Sequence, residues 1–151
     1  VLPVLLIIGS LGIVLWKLVN RHTSRGGDPH GRILRALEDE VPRSLPPGTK
    51  ILSQGKAEPT WDSCDGRRGT FGWDPAQVVL RMNGSAPAEL NRSLTASGWK
   101  LVDQLGPTRS RWSHMLFPGQ PATLDVTTGQ TSGTLDLVFA AQPPGPVVRG
   151  C

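Results

Sequence analysis

Cys64 lies between Asp62 and Asp65, and a single histidine, His114, stands far downstream. A thiol beside carboxylates with a distant imidazole is the raw material of a nucleophile and its base, and such sites are assembled in space rather than in sequence. The chain holds just two cysteines, however, and the second, Cys151, follows a tail containing Gln142-Pro143-Pro144-Gly145-Pro146. A cysteine placed there packs nothing by itself. Pairing it with Cys64 turns it into a clip that fastens the tail to the body, and clips of this kind persist in oxidising compartments. In the chain-entropy account, a loop of that length contributes about 4–5 kcal/mol. The expectation is therefore a Cys64–Cys151 disulfide rather than a catalytic thiol.

Other constellations are sparse. His22, His30 and His114 are isolated, without the spacing that lets two imidazoles share a metal, so no metal site and no cofactor is expected;. His22 and His30 read as solvated linker residues. Phosphate-binding loops, dinucleotide fingerprints, G-x-S-x-G and H-E-x-x-H are missing;. Asp62 and Asp65 lack the further oxygen ligands at regular offsets that calcium needs, and read as turn caps. The surface candidate is the stretch 58–74, where Arg67 and Arg68 stand among Trp61, Phe71 and Trp73. Arginine and tryptophan are favoured at binding hot spots, which makes Trp61, Arg67, Arg68 and Trp73 candidate partner contacts, with Arg109 and Arg111 on a later strand. A long ordered loop is expected here, with its aromatics laid on the domain. An alternative is a cell-envelope hydrolase or transferase using carboxylates of the same loop, such as Asp62, Asp65 and Asp74.

Those residues need elements to hold them, and the first is a tether. Val1 to Val19 contains a single charged side chain, Lys17. As a helix it rises about 28 Å, close to the thickness of a bilayer's hydrocarbon core. Trp16 and Lys17 suit a membrane–water interface, and Arg21 and Arg25 continue a basic border facing anionic headgroups. The reading is a transmembrane helix over 1–19, a juxtamembrane stalk over 20–31 and an extracytoplasmic domain over 32–151. The net charge of +4 is largely this border. From Gly26 onward 13 basic residues face 12 acidic ones, so nucleic-acid binding is excluded as an expectation;. Taken alone, Lys17, Arg21 and Arg25 would place the domain after the helix in the cytoplasm. The cysteine clip argues for the outside of the plasma membrane, and a basic leader ahead of Val1 would cancel the charge bias.

Within the domain, Asp28-Pro29 starts a helix whose Ile33, Leu34, Leu37 and Val41 share one face, closed by Pro42;. Lys50–Gln54 opens a strand and Gln77–Met82 forms another. A second helix begins near Ser85, with Leu90 and Leu94 one turn apart and Gly98 as its stop. Then come strands at Trp99–Val102, Arg109–Phe117 and two more, the last pair a hairpin with Gly129 and Gly133 in its turn. Trp112, His114 and Leu116 alternate with Arg111, Ser113 and Met115. Two helices with a four-strand meander predict an α+β fold, a small two-layer sandwich of mainly antiparallel sheet.

Trp61-Asp62-Ser63-Cys64-Asp65-Gly66, Gly72-Trp73 and Ser97-Gly98-Trp99 carry a resemblance. Over roughly Pro46 to Leu101 the chain resembles uncharacterised membrane-anchored exported proteins of actinobacteria. That resemblance implies an exported, disulfide-bonded domain and brings no catalytic residues. The glycine, proline and arginine bias (18 Gly, 14 Pro, and Arg well ahead of Lys) fits a GC-rich genome. The expected function is a single-pass, membrane-anchored binding or accessory-subunit domain without catalytic activity. Its partners would be membrane lipid and a larger membrane protein complex or envelope component.

Overall fold

In the computed structural model the described residues are 29–64, 70–84, 87–129, 131, 133–147 and 149–150. The expected transmembrane helix 1–19, with Trp16, Lys17, Arg21 and Arg25, lies outside them, as do His22, Asp65, Arg67, Arg68, Cys151 and the side chains of Asp62 and Phe71. No helix among the described residues is long and apolar enough to cross a membrane.

Helix α1 spans Pro29–Ser44, so residues 29–31, expected in the stalk, are helical. Proline at its first position costs nothing, because that N–H has no intrahelical partner anyway. Ile33, Leu34, Leu37 and Val41 are buried on one face as their spacing predicts. Pro42 does not close the helix. It removes one hydrogen bond in the last turn, where Ser44 Oγ donates to the Glu40 carbonyl at 2.8 Å and Leu45 N to that of Val41 at 3.3 Å. Burial of Ser44 and Leu45 holds the extra turn, since packing overrides a local proline penalty near a helix end;.

The main sheet has six strands, β1 (Ile51–Ala57), β4 (Ala76–Asn83), β5 (Lys100–Gln104), β6 (Arg109–Phe117), β7 (Gln120–Thr128) and β8 (Thr134–Ala141). Their order is β1-β4-β8-β7-β6-β5, with every neighbour antiparallel. The meander β5–β8 forms as expected, and β4 joins β8 from the other side. Alternation places Val78, Leu80, Leu124, Trp112, Leu137 and Phe139 on one face, all buried against the helices. A buried side chain of this size contributes about 1.5–3 kcal/mol relative to exposure, so this shared face is the main source of stability. Edge strand β1 is exposed in every residue, and Lys56 on it reaches Glu38 of α1 at 2.7 Å.

Helix α2 (Pro87–Ala96) crosses from β4 to the far edge at β5 and buries Leu90 and Leu94. Its end is a Schellman turn: Trp99 N donates to the Leu94 carbonyl at 3.0 Å and Gly98 N to that of Thr95 at 3.1 Å;. Gly98 has φ of +92°, and a Cβ there would sit 3.2 Å from the His114 ring, so conformation and contact both require glycine;. The result is a two-layer α+β sandwich with helices on one face of the sheet.

Candidate functional site

The stretch expected to be one long loop instead supplies two strands of a second sheet. β2 (Trp61–Asp62) pairs antiparallel with β3 (Thr70–Trp73), and β3 pairs on its other side with β9 (Arg149–Gly150) near the end of the chain. Two-residue strands leave no period-2 signal, which is why sequence reading misses them. Backbone hydrogen bonds extend the small sheet, and the Gln142 side chain ties it to the end of β8. Trp73 N donates to the Pro146 carbonyl at 2.9 Å, Asp74 N to that of Thr60 at 2.9 Å, and Gln142 Nε2 to that of Trp73 at 2.7 Å.

Trp73 is the centre of an aromatic stack. The His30 ring lies 3.9 Å from it, centroid to centroid and tilted by 32°, and Trp61 meets it edge-on at 5.3 Å. His30 is therefore not a solvated linker histidine; it is in the first turn of α1, half-buried against Trp73. Trp61 does not find the expected burial and stays 45% exposed, with Val147 42% exposed and Arg149 exposed in the same small sheet and its approach. Of the aromatic-basic candidates, Trp61 and Trp73 are thus brought together.

Arg109 and Arg111 are not with them. Both lie on β6 of the main sheet and bind the same carboxylate on the neighbouring strand: Arg111 Nε donates to Asp125 Oδ1 at 2.7 Å and Arg109 Nη2 to Oδ2 at 2.8 Å. Nearby, Arg81 grips Asp136 with two bonds of 2.6 and 3.1 Å. The sheet face away from the helices is laced by these cross-strand pairs, which commits both arginines to the fold. Hydrogen bonding by Arg111, with a second bond from Arg109, holds the Asp125 carboxyl well down, at about 2. A depressed carboxylate contributes stability that is complete above its unfolded value near 3.8 and lost as pH falls toward about 2;. The arginines are about half exposed, which cuts the contribution to about 1 kcal/mol. Urea titrations at pH 4 and pH 2 are expected to show Asp125→Asn losing about 1 kcal/mol less over that interval than the native chain. Equal losses would mean that the cluster is screened out.

A polar chain that sequence reading did not find runs through the core. Trp99 Nε1 donates to Ser44 Oγ at 2.9 Å, Ser44 Oγ reaches Glu40 Oε1 at 3.3 Å, and Glu40 Oε1 faces His114 Nε2 at 3.5 Å. His114 Nδ1 lies 3.2 Å from the Gly98 carbonyl. The signal was present: Ile33, Leu37, Glu40 and Ser44 follow at helical spacing, so the acid and the serine share the apolar face;. Glu40 stands in the acidic run Glu38-Asp39-Glu40, whose composition alone does not mark one member as buried. Ser, Glu and His occur here in the wrong order for hydrolysis, with the fully buried serine next to the acid rather than the imidazole;. The chain satisfies buried polar groups and fixes α1 against β6 and the α2–β5 turn.

Nor does the fold support the Cys64–His114 pairing. Cys64 follows β2 in the small sheet, which meets α1 at His30, whereas His114 meets α1 at Glu40, about 15 Å further along the helix axis;. The Asp74 carboxylate of the alternative hydrolase accepts a hydrogen bond from Thr60 Oγ1 at 3.1 Å. Among the described residues no group of three or more His, Cys, Asp or Glu is placed to hold a metal ion.

Fold and site together define a two-layer α+β domain carrying an aromatic side-sheet at the start of its first helix. No protein-family model and no curated protein matches the chain.

Proposed function

We propose that the protein is a single-pass, membrane-anchored domain on the extracytoplasmic side of the plasma membrane. It acts without catalysis, as a binding domain or accessory subunit for a larger membrane complex or envelope component. The anchor is the apolar run Val1–Val19, bordered by Trp16, Lys17, Arg21 and Arg25. The observation that carries the reading is the arrangement of the small sheet. β2 and β9 both run antiparallel to β3, hence parallel to one another, and leave the sheet at the same end. β2 ends at Asp62, opposite Gly72, with Cys64 in the turn that follows, and β9 ends with Gly150 opposite Thr70 of the same strand. The chain after Asp62 and the chain after Gly150 thus leave β3 at the same end, which supports a clip between Cys64 and Cys151 beyond it. No described cysteine is a free thiol. A disulfide in turn favours the oxidising side of the membrane.

A membrane-impermeant maleimide, applied to intact cells and to inverted vesicles with and without reduction, tests this. The expected result is labelling of Cys64 and Cys151 only after reduction, and from the outer side. Labelling of both without reduction, confined to inverted vesicles, would put the domain in the cytoplasm and overturn the reading.

A further inference from the structure

We infer that the edge strand β5 is a self-association surface, where it pairs antiparallel with β5 of a second copy of this chain. The inference goes beyond the proposed function and holds whether or not the chain is anchored.

β5 ends the strand order of the main sheet, so among the described residues no strand pairs with its outer side. All five of its residues are exposed. Val102, at 61%, is the most exposed large apolar side chain among the described residues, and Leu101 beside it is 52% exposed. An unpaired strand edge presents a row of backbone donors and acceptors to an extended chain, and apolar side chains on it favour the contact.

Register selects a second copy as the occupant. Val102 has no partner of its own on β6, because the pairing passes from Leu101↔Trp112 to Asp103↔Arg111 through a β-bulge;. Residues three apart on a regular strand point to opposite faces. The bulge shifts that alternation by one. Lys100, opposite Ser113, and Asp103, opposite Arg111, therefore share the face away from the helices. A twofold axis perpendicular to the sheet keeps that face on one side in both copies and makes the contact self-complementary. One register then sets Lys100 opposite Asp103 of the second copy, repeats the pair by symmetry and places Leu101 opposite Val102.

The charges fit this arrangement. Asp125, Arg111 and Asp103 lie opposite one another on β7, β6 and β5, a row of alternating sign that stops at the edge with an acid. Neither Asp103 nor Lys100 forms a salt bridge among the described residues. Lys100 of the second copy continues the row, and opposite charges across a strand pair stabilise it. The other edge lacks this complement: β1 has no acidic residue, and its Lys56 already reaches Glu38. A bulge and a lysine guard an edge against indiscriminate pairing. On β5 they leave a register in which face and charge agree.

A mixing experiment tests this. The full chain in detergent micelles is measured by native mass spectrometry, with Lys100→Asp and Asp103→Lys as variants, one of them isotopically labelled. The native chain is expected to be dimeric. Each variant alone sets like charges opposite one another at both pairs and loses about tenfold in self-affinity. Mixed together, the two variants restore both pairs, and the heterodimer exceeds its statistical share several-fold. A monomeric native chain overturns the inference. So do variants that dimerise as well as the native chain, or a mixture at the statistical ratio. Both positions are exposed, and an unaltered circular dichroism spectrum verifies that the fold is kept. A second measurement needs no substitution: amide exchange over 100–104 slows as the concentration of the native chain rises, while that over β1 does not. Exchange at β5 that is independent of concentration overturns the pairing as well.

Discussion

Phe139→Ala is expected to lose about 3–5 kcal/mol of unfolding free energy, the largest effect of any single truncation in the sheet. Phe139 is fully buried on β8, with Val78 opposite it on β4 and Leu124 opposite it on β7. The edge of its ring meets Trp99 at a centroid distance of 5.6 Å, close to perpendicular at 73°. Strands on both sides pin the backbone, so the walls of the cavity left by truncation cannot move in, and the lost contacts add to the lost transfer energy. For a domain of this size the total is about 5–15 kcal/mol, so the loss is about a fifth of it or more. Urea unfolding with an unchanged slope is the measurement, and a loss under about 1 kcal/mol would place the core elsewhere. Val79→Ala supplies the contrast. Its side chain is 42% exposed on the opposite face of β4, one residue from Val78, and the expected loss is below about 1 kcal/mol;.

That contrast between adjacent valines also shows how much of the fold the residues disclose. Where burial alternates over eight or nine residues, as in β7 and β8, period and register follow from apolar spacing, and that hairpin is legible. The second helix is equally legible, because Leu90, Leu94 and Gly98 each do one separable job. What is hidden depends on pairing between distant segments. Nothing local tells β4 to dock on β8, and Arg109 and Arg111 look free until the register puts Asp125 across from Arg111. Trp61 illustrates the opposite error. Its size argues for burial, yet a two-residue strand at the margin of the domain leaves it 45% exposed. Ser44 lies beyond a proline and is helical because Trp99, from the end of α2, needs its hydroxyl. The chemical site was the least legible part, since its residues come from both ends of the domain's chain.

On the proposed Cys64–Cys151 clip, replacing both cysteines with serine is expected to cost about 2–5 kcal/mol, close to the effect of Phe139→Ala but by a different route. The truncation weakens the folded state, whereas losing the clip mainly enlarges the conformational freedom of the unfolded chain. The two losses should therefore add within about 0.5 kcal/mol when combined, because one acts on the folded state and the other on the unfolded chain. They should also differ in distribution. β9 is held by two pairings, Thr70↔Gly150 and Phe71↔Arg149, and none of the core side chains of the main sheet lies on it. Without the clip, the small sheet frays first. The emission of Trp61 and Trp73 then changes at lower denaturant than the circular dichroism of the main sheet, splitting a transition that coincides in the native chain. Reducing agent alone should reproduce the double replacement in the native chain and do nothing further to the variant. If reduction leaves native stability within about 0.5 kcal/mol and the two probes stay coincident, no bond is present. The cysteines then lose their bearing on compartment, and the basic border at Lys17, Arg21 and Arg25 becomes the argument that decides on which side the domain lies.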